Sequence, residues 1–155
     1  MTLFVDLDGV LADFDKHHEN LFGVRPSRAA DNVDWKAIRS VPDFFLGIPP
    51  MADLPELWDF IAPHKPIVLT GIPTPKQNVS DAAEHKCAWV RHHLGAAVEV
   101  RCVLSKEKYL HASPGDILVD DWTKYQHLWL AAGGHWITHT SAASTIEKLK
   151  EVSPT

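Results

Sequence analysis

The stretch Phe4-Val5-Asp6-Leu7-Asp8-Gly9-Val10-Leu11-Ala12-Asp13-Phe14 decides how the rest of the chain reads. The apolar run Leu3-Phe4-Val5 predicts a buried parallel strand, within a strand drawn from Thr2 to Asp8. Two carboxylates, Asp6 and Asp8, follow at its C-terminal end, with Gly9 and an apolar helix start behind them. In an open α/β sheet that edge is where ligands bind. Two acids held so close repel each other unless a cation or a shared proton intervenes, which points to a hard-metal site suited to Mg²⁺. Taken alone, the same stretch also reads as a turn with a helix cap.

Three further features favour the site. The apolar runs Ile67-Val68-Leu69 and Ile117-Leu118-Val119 end in Thr70-Gly71 and Asp120-Asp121, and Lys86 lies in a helical stretch between them. The ordered set Asp6/Asp8, Thr70, Lys86, Asp120/Asp121 resembles the four motifs of the haloacid dehalogenase-like (HAD) phosphatase superfamily. Within it, the strings DLDGVLADF, LTG, HKCAWV and ILVDD resemble the 5'(3')-deoxyribonucleotidase family, over nearly the whole chain.

The alternation of strands and helices predicts one α/β domain over 1–155 with a Rossmann-like parallel sheet of about five strands and flanking helices. The other strands are expected at Pro66 to Thr70, Val98 to Leu104, Asp116 to Asp120 and His135 to His139. Helices are expected at Ala12 to Phe22, Leu54 to Ile61, Val79 to Leu94 and Thr123 to Ala132. A last one runs from Ser144 to Lys150, where Ser144 and Glu147 form a capping-box pattern. Gly23 to Met51 breaks the rhythm and is too long for a structureless loop. With its flanking helices it reads as a small helical cap, 15–62, inserted after the first motif.

The resemblance implies roles. Asp6 is the nucleophile that forms an aspartyl-phosphate, and Asp8 is the general acid and then base. Thr70 and Gly71 hold a phosphate oxygen, and Lys86 is the ammonium beside the nucleophile. Mg²⁺ is held by Asp6, the Asp8 backbone carbonyl and Asp121. Asp120 acts through water or pairs with a lysine, though the order within that pair is open. Lys108, in Leu104-Ser105-Lys106-Glu107-Lys108, is implied near substrate. An aromatic sandwich for a base is implied by Phe14, matched directly, and by Trp35 and Phe44 or Phe45, which fall in the right region. Ordinary packing is the competing reading for these rings. Trp58, Trp89, Trp122, Trp129 and Trp136 read as core or surface-covering residues.

The expected function is therefore Mg²⁺-dependent hydrolysis of (deoxy)ribonucleoside monophosphates. The alternative is a HAD phosphatase for another small ester such as a sugar or cofactor phosphate, because the loop Gly71-Ile72-Pro73-Thr74-Pro75 and the cap depart from the family. A receiver domain uses the same residue types in another order, and a dead binding module lacks the nucleophile.

The chain has 155 residues and a formal net charge of −5, which argues against nucleic acid polymer and anionic membrane as partners. Ten histidines do not form a zinc pattern, since His17-His18 and His92-His93 are adjacent pairs. Cys87 and Cys102 sit in apolar contexts and read as reduced thiols. No cleavable signal pattern or membrane-length apolar run is evident, so a cytoplasmic location is expected. Dimerisation through the cap side is compatible with the sequence.

Overall fold

The computed structural model describes residues 1–27 and 30–152; Arg28, Ala29 and Ser153 to Thr155 lie outside it. Five parallel strands form one sheet: β1 (Leu3–Val5), β2 (Ile67–Gly71), β3 (Val100–Val103), β4 (Ile117–Asp120) and β5 (His135–Thr138), in the order β3-β2-β1-β4-β5. The expected five-stranded Rossmann-like sheet is thus present, with β1 at its centre. The chain steps from β1 outward through β2 to β3, then returns to the other side of β1 for β4 and β5. This reversal opens a crevice at the C-terminal ends of the middle strands. The register is fixed by Phe4 opposite Ile67 and Leu118, and Val5 opposite Val68 and Val119. The crevice is therefore flanked by the segments that leave β1, β2 and β4.

Strand β1 is shorter than the sequence suggests. Asp6 still donates its N–H to Val119 O at 2.9 Å, but the Leu7 carbonyl accepts from Val10, Leu11 and Ala12. Three donors on one carbonyl fold residues 7–12 into a tight loop, so Asp8 sits in a turn and not in the ladder. Gly9 has φ +85, and a Cβ there would overlap the Asp121 carboxylate. Only glycine allows that backbone to pass so close.

Helices α1 (Phe14–Phe22), α2 (Trp35–Ser40) and α3 (Leu54–Ile61) lie between β1 and β2. Asp13 and Asp34 cap the first two, accepting from Lys16 N and Ala37 N. Helix α3 packs on the final helix α6 (Ala142–Val152), and Asp53 Oδ2 accepts from Ala142 N at 2.7 Å. Helix α6 begins two residues before the expected Ser144. Ser141 Oγ accepts from Ser144 N at 3.1 Å, so the cap is Ser141 and the Ser144–Glu147 pattern lies inside the helix. The stretch from Thr123 to Ala132 divides into a 3₁₀ turn, Thr123–Tyr125, and α5 (Gln126–Ala131). Helix α4 (Ala82–His93) precedes β3, and a seven-residue 3₁₀ segment, Ser105–His111, follows it.

His18 is fully buried and locks the α1–α2 connection. Its Nδ1 lies 2.6 Å from Val24 O, an acceptor, so Nδ1 carries the hydrogen; Nε2 then accepts from Asp34 N–H at 3.0 Å. Trp89 Nε1 donates to Ile48 O at 2.7 Å, tying α4 to the same insertion. No helix among the described residues is long and apolar enough to cross a membrane.

Burial lowers His17, His93 and His139 below the ordinary 6.5. His139 is buried with Nδ1 2.7 Å from Thr145 Oγ1. A buried histidine with a depressed pKa is neutral in the fold and protonates more readily when unfolded. Its contribution to stability is complete above pH 6.5 and declines as pH falls below it. The thermal midpoint should drop between about pH 7.5 and 5.5, and the drop should be smaller in His139→Gln, followed by circular dichroism. Identical drops in both proteins would show that another group carries the effect.

Candidate active site

The sheet brings Asp6, Asp8, Thr70, Gly71, Lys86, Lys108 and Asp120 to one place at the C-terminal ends of β1, β2 and β4. Asp6, Thr70, Lys86, Lys108 and Asp120 are all buried. Charges this deep need partners, and the partners are each other.

Lys108 Nζ donates to Asp6 Oδ1 at 3.0 Å and to Asp120 Oδ2 at 2.8 Å. Burial alone would lower its ammonium, but the Asp6 and Asp120 carboxylates outweigh burial and hold it above the ordinary lysine range. Burial and the neighbouring Asp6 push Asp120 up to about 6, against the lowering pull of Lys108. The other Asp120 oxygen accepts from Trp122 N at 3.0 Å.

Lys86 stands on the other acid. Its Nζ donates to Asp8 Oδ2 at 2.7 Å, to Gly71 O at 2.7 Å and to Thr70 Oγ1 at 3.2 Å. An ammonium has three N–H donors, so all three are used, and the Phe45 ring lies 4.9 Å from the nitrogen. The ammonium against Asp6 is therefore that of Lys108, where the sequence suggests Lys86. Lys86 serves Asp8, and among the described residues Lys108 uses two of its three N–H donors. Thr70, which accepts from Lys86, retains its own hydroxyl hydrogen to donate. A Cβ at Gly71 would overlap the Ser105 hydroxyl, which would have to turn away.

Asp6, Asp120 and Asp121 each present a carboxylate oxygen, all within 4.8 Å of one another. Asp8 Oδ1 is buried without a hydrogen-bond partner among the described residues. An all-oxygen donor set of this kind fits a hard divalent cation such as Mg²⁺.

Above these groups opens a cleft of about 430 Å³, half closed by the segment between β1 and β2. Phe14, Trp35 and Phe45 line it; Phe44 stands behind them, buried against Phe22 and His17. Trp122 and Tyr125 line the opposite side, their rings edge to face at 5.6 Å. The sequence alone suggests packing for Trp122. The signal that it faces the cleft is its place directly after the strand-end acids. Asp31 and Lys106 also line the cleft, and nothing in their sequence surroundings marks them.

No family model matches the chain. It is similar to proteins named "Putative 5'(3')-deoxyribonucleotidase" from Bordetella pertussis and Bordetella bronchiseptica. Each is 27% identical over 141 residues, which cover 78% of this chain and 74% of the relative. The L-2-haloacid dehalogenase of Xanthobacter autotrophicus superposes with a TM-score of 0.55 at 12% identity, over 99% of this chain and 84% of that one. The chain has the HAD fold, as its motifs imply, and the resemblance to the deoxyribonucleotidases is borne out by the Bordetella relatives.

Removing one partner from a buried ion network leaves the others uncompensated, at a cost of about 3–5 kcal/mol. Lys108→Met should destabilise the fold by that amount in urea unfolding without added metal. A loss below about 1 kcal/mol would mean that Asp6 and Asp120 share a proton instead of relying on the lysine.

Proposed function

We propose that this chain is a Mg²⁺-dependent phosphomonoesterase that hydrolyses nucleoside monophosphates through an aspartyl-phosphate on Asp6. The observation that carries the reading is the pairing of each of two acids with its own buried lysine, Asp6 with Lys108 and Asp8 with Lys86. The pairs lie side by side at the foot of a cleft, and the two acids thereby acquire different tasks.

Asp6, held by Lys108, is aimed as a nucleophile. Its carboxylate attacks phosphorus, the bond to the leaving oxygen breaks, and Asp8 gives that oxygen a proton. Asp8 then takes a proton from water, which attacks the phosphorus, frees Asp6 and releases inorganic phosphate. The remaining Lys108 N–H and the Thr70 hydroxyl meet the charge that builds on the phosphoryl oxygens. Lys86 holds Asp8 in place. Asp6, Asp120, Asp121 and the Asp8 backbone carbonyl would hold Mg²⁺, whose charge would offset that of the nucleophile and the phosphate.

The insertion 15–62 acts as the cap in this reading. Its part before α3, with Phe14 at its entrance, contributes Trp35 and Phe45; the three rings suit a nucleobase, while α3 itself packs on α6. The name carried by the Bordetella relatives supports a deoxyribonucleoside 5'- or 3'-monophosphate as substrate.

Asp6→Asn should reduce Mg²⁺-dependent phosphate release to background while the circular dichroism spectrum stays unchanged. Retained hydrolysis would remove the covalent route. The assay panel spans ribo- and deoxyribonucleoside 5'- and 3'-monophosphates and sugar phosphates. Turnover confined to sugar phosphates would keep the chemistry and discard the nucleotide. In Trp35→Ala, KM for a nucleotide should rise about tenfold, as loss of base stacking implies, with p-nitrophenyl phosphate hardly affected. Equal losses on both substrates would assign Trp35 to packing.

A further inference from the structure

Cys87 and Cys102 take no part in the chemistry above, yet the fold brings their sulfurs to 4.0 Å. They come from different elements. Cys87 follows Lys86 in α4, and Cys102 lies in β3, where the register places it beside Thr70 of β2. The pair thus sits between two residues of the phosphate site, each sulfur anchored next to one of them. Both thiols are free and only half buried, so a small oxidant can reach them. Cys102 donates its S–H to Ala83 O at 3.8 Å, which leaves its sulfur to accept the S–H of Cys87.

We propose that Cys87 and Cys102 form a redox pair that a peroxide closes to a disulfide, and that closure pulls Lys86 from its partners and silences the site. The step balances. Peroxide transfers one oxygen to the Cys87 sulfur, giving a sulfenic acid and one water. The Cys102 sulfur displaces the hydroxyl, the S–S bond forms, and a second water carries off the Cys102 proton. Two thiols are oxidised and one peroxide is reduced to two waters.

Burial first, and then the neighbouring Cys87, raise Cys102 to about 12. Cys102 therefore stays a thiol at neutral pH.

A disulfide is about 2.05 Å long, so the sulfurs must approach by about 2 Å. Rotation about the two Cα–Cβ bonds supplies part of that approach, and a shift of α4 against β3 supplies the rest. The part of the shift passed along α4 lengthens the three bonds of Lys86, which stand at 2.7, 2.7 and 3.2 Å. Asp8 then loses its cation. The effect on turnover rests on the phosphatase reading; the bond itself does not.

The test treats the full-length protein with hydrogen peroxide and reads intact mass, free thiols and phosphate release. Mass should fall by about 2 Da as two hydrogens leave, both thiols should disappear, and dithiothreitol should restore them. Phosphate release should fall at least tenfold and recover on reduction. Cys87→Ser and Cys102→Ser should keep basal turnover and escape the reversible loss. Gains of about 16 or 32 Da alone, cross-linked dimers, or a closed disulfide with unchanged turnover would each overturn the proposal. A reduced protein that releases no phosphate would remove the phosphatase reading, and mass and thiol counts would still decide the bond.

Discussion

The rest of the structure depends on one buried ammonium. Lys108 reaches from the 3₁₀ segment after β3 to the ends of β1 and β4, where it touches Asp6 and Asp120 at 3.0 and 2.8 Å. The central strands of a parallel sheet are apolar on both faces, and here they end in carboxylates that solvent hardly reaches. Such charges are tolerated only when paired and hydrogen-bonded. The segment carrying Lys108 must therefore fold over the sheet before the β1 and β4 ends are electrostatically acceptable. That coupling explains why the irregular segment Ser105–His111 has a buried lysine between exposed neighbours.

The second lysine obeys a different logic. Among the described residues Lys108 bonds only carboxylates, whereas Lys86 bonds a carboxylate, a hydroxyl and a carbonyl, with an aromatic ring over it. With its donors exhausted, Lys86 fixes Asp8 and has no direct bond left for a phosphate in this arrangement. Phe45 belongs to the segment between β1 and β2, so its ring makes that segment part of the Lys86 surroundings. Trp89, bonded to Ile48 O, and His18, bonded at both nitrogens, hold the same segment in position. On the proposed function, a cap fixed by these contacts would hold its aromatic rings in place for stacking.

The strands and their order of motifs were legible because hydrophobic runs ending in Asp, Thr or Asp-Asp have few other physical readings. Asp6, Asp8, Thr70 and Asp120 emerge from that pattern together with the family likeness. The division of labour between Lys86 and Lys108 was not legible. Lys76, Lys106 and Lys108 follow strand ends in sequence and Lys86 lies in the helix between β2 and β3, and only the sheet order shows which of them can cross to β1. Phe44 and Phe45 are adjacent and chemically identical, so sequence could not say which ring meets the cleft and which packs on Phe22 and His17. Trp122 was obscure for a related reason: its local neighbourhood resembles that of any packed tryptophan, and its exposure to the cleft depends on the 3₁₀ turn that replaces the expected helix start. The capping pattern at Ser144 misleads because Ser141, three residues earlier, offers the same hydroxyl at the true start of α6.

The charge balance of the site ties substrate to metal. Four carboxylates, those of Asp6, Asp8, Asp120 and Asp121, face two buried ammonium groups, Lys86 and Lys108. Burial first, and then that shortage through the neighbouring Asp6, raise the pKa of Asp120. A phosphate monoester brings further negative charge into the same crevice, on a chain whose net charge is already −5. Lys106, the exposed lysine lining the cleft among the described residues, is screened by water and weak at such distances. Substrate binding and a divalent cation are therefore linked in this reading. On the proposed function, the carboxylates that would repel a bare phosphate would hold the ion that admits it, so the acidic site would be incomplete without that ion.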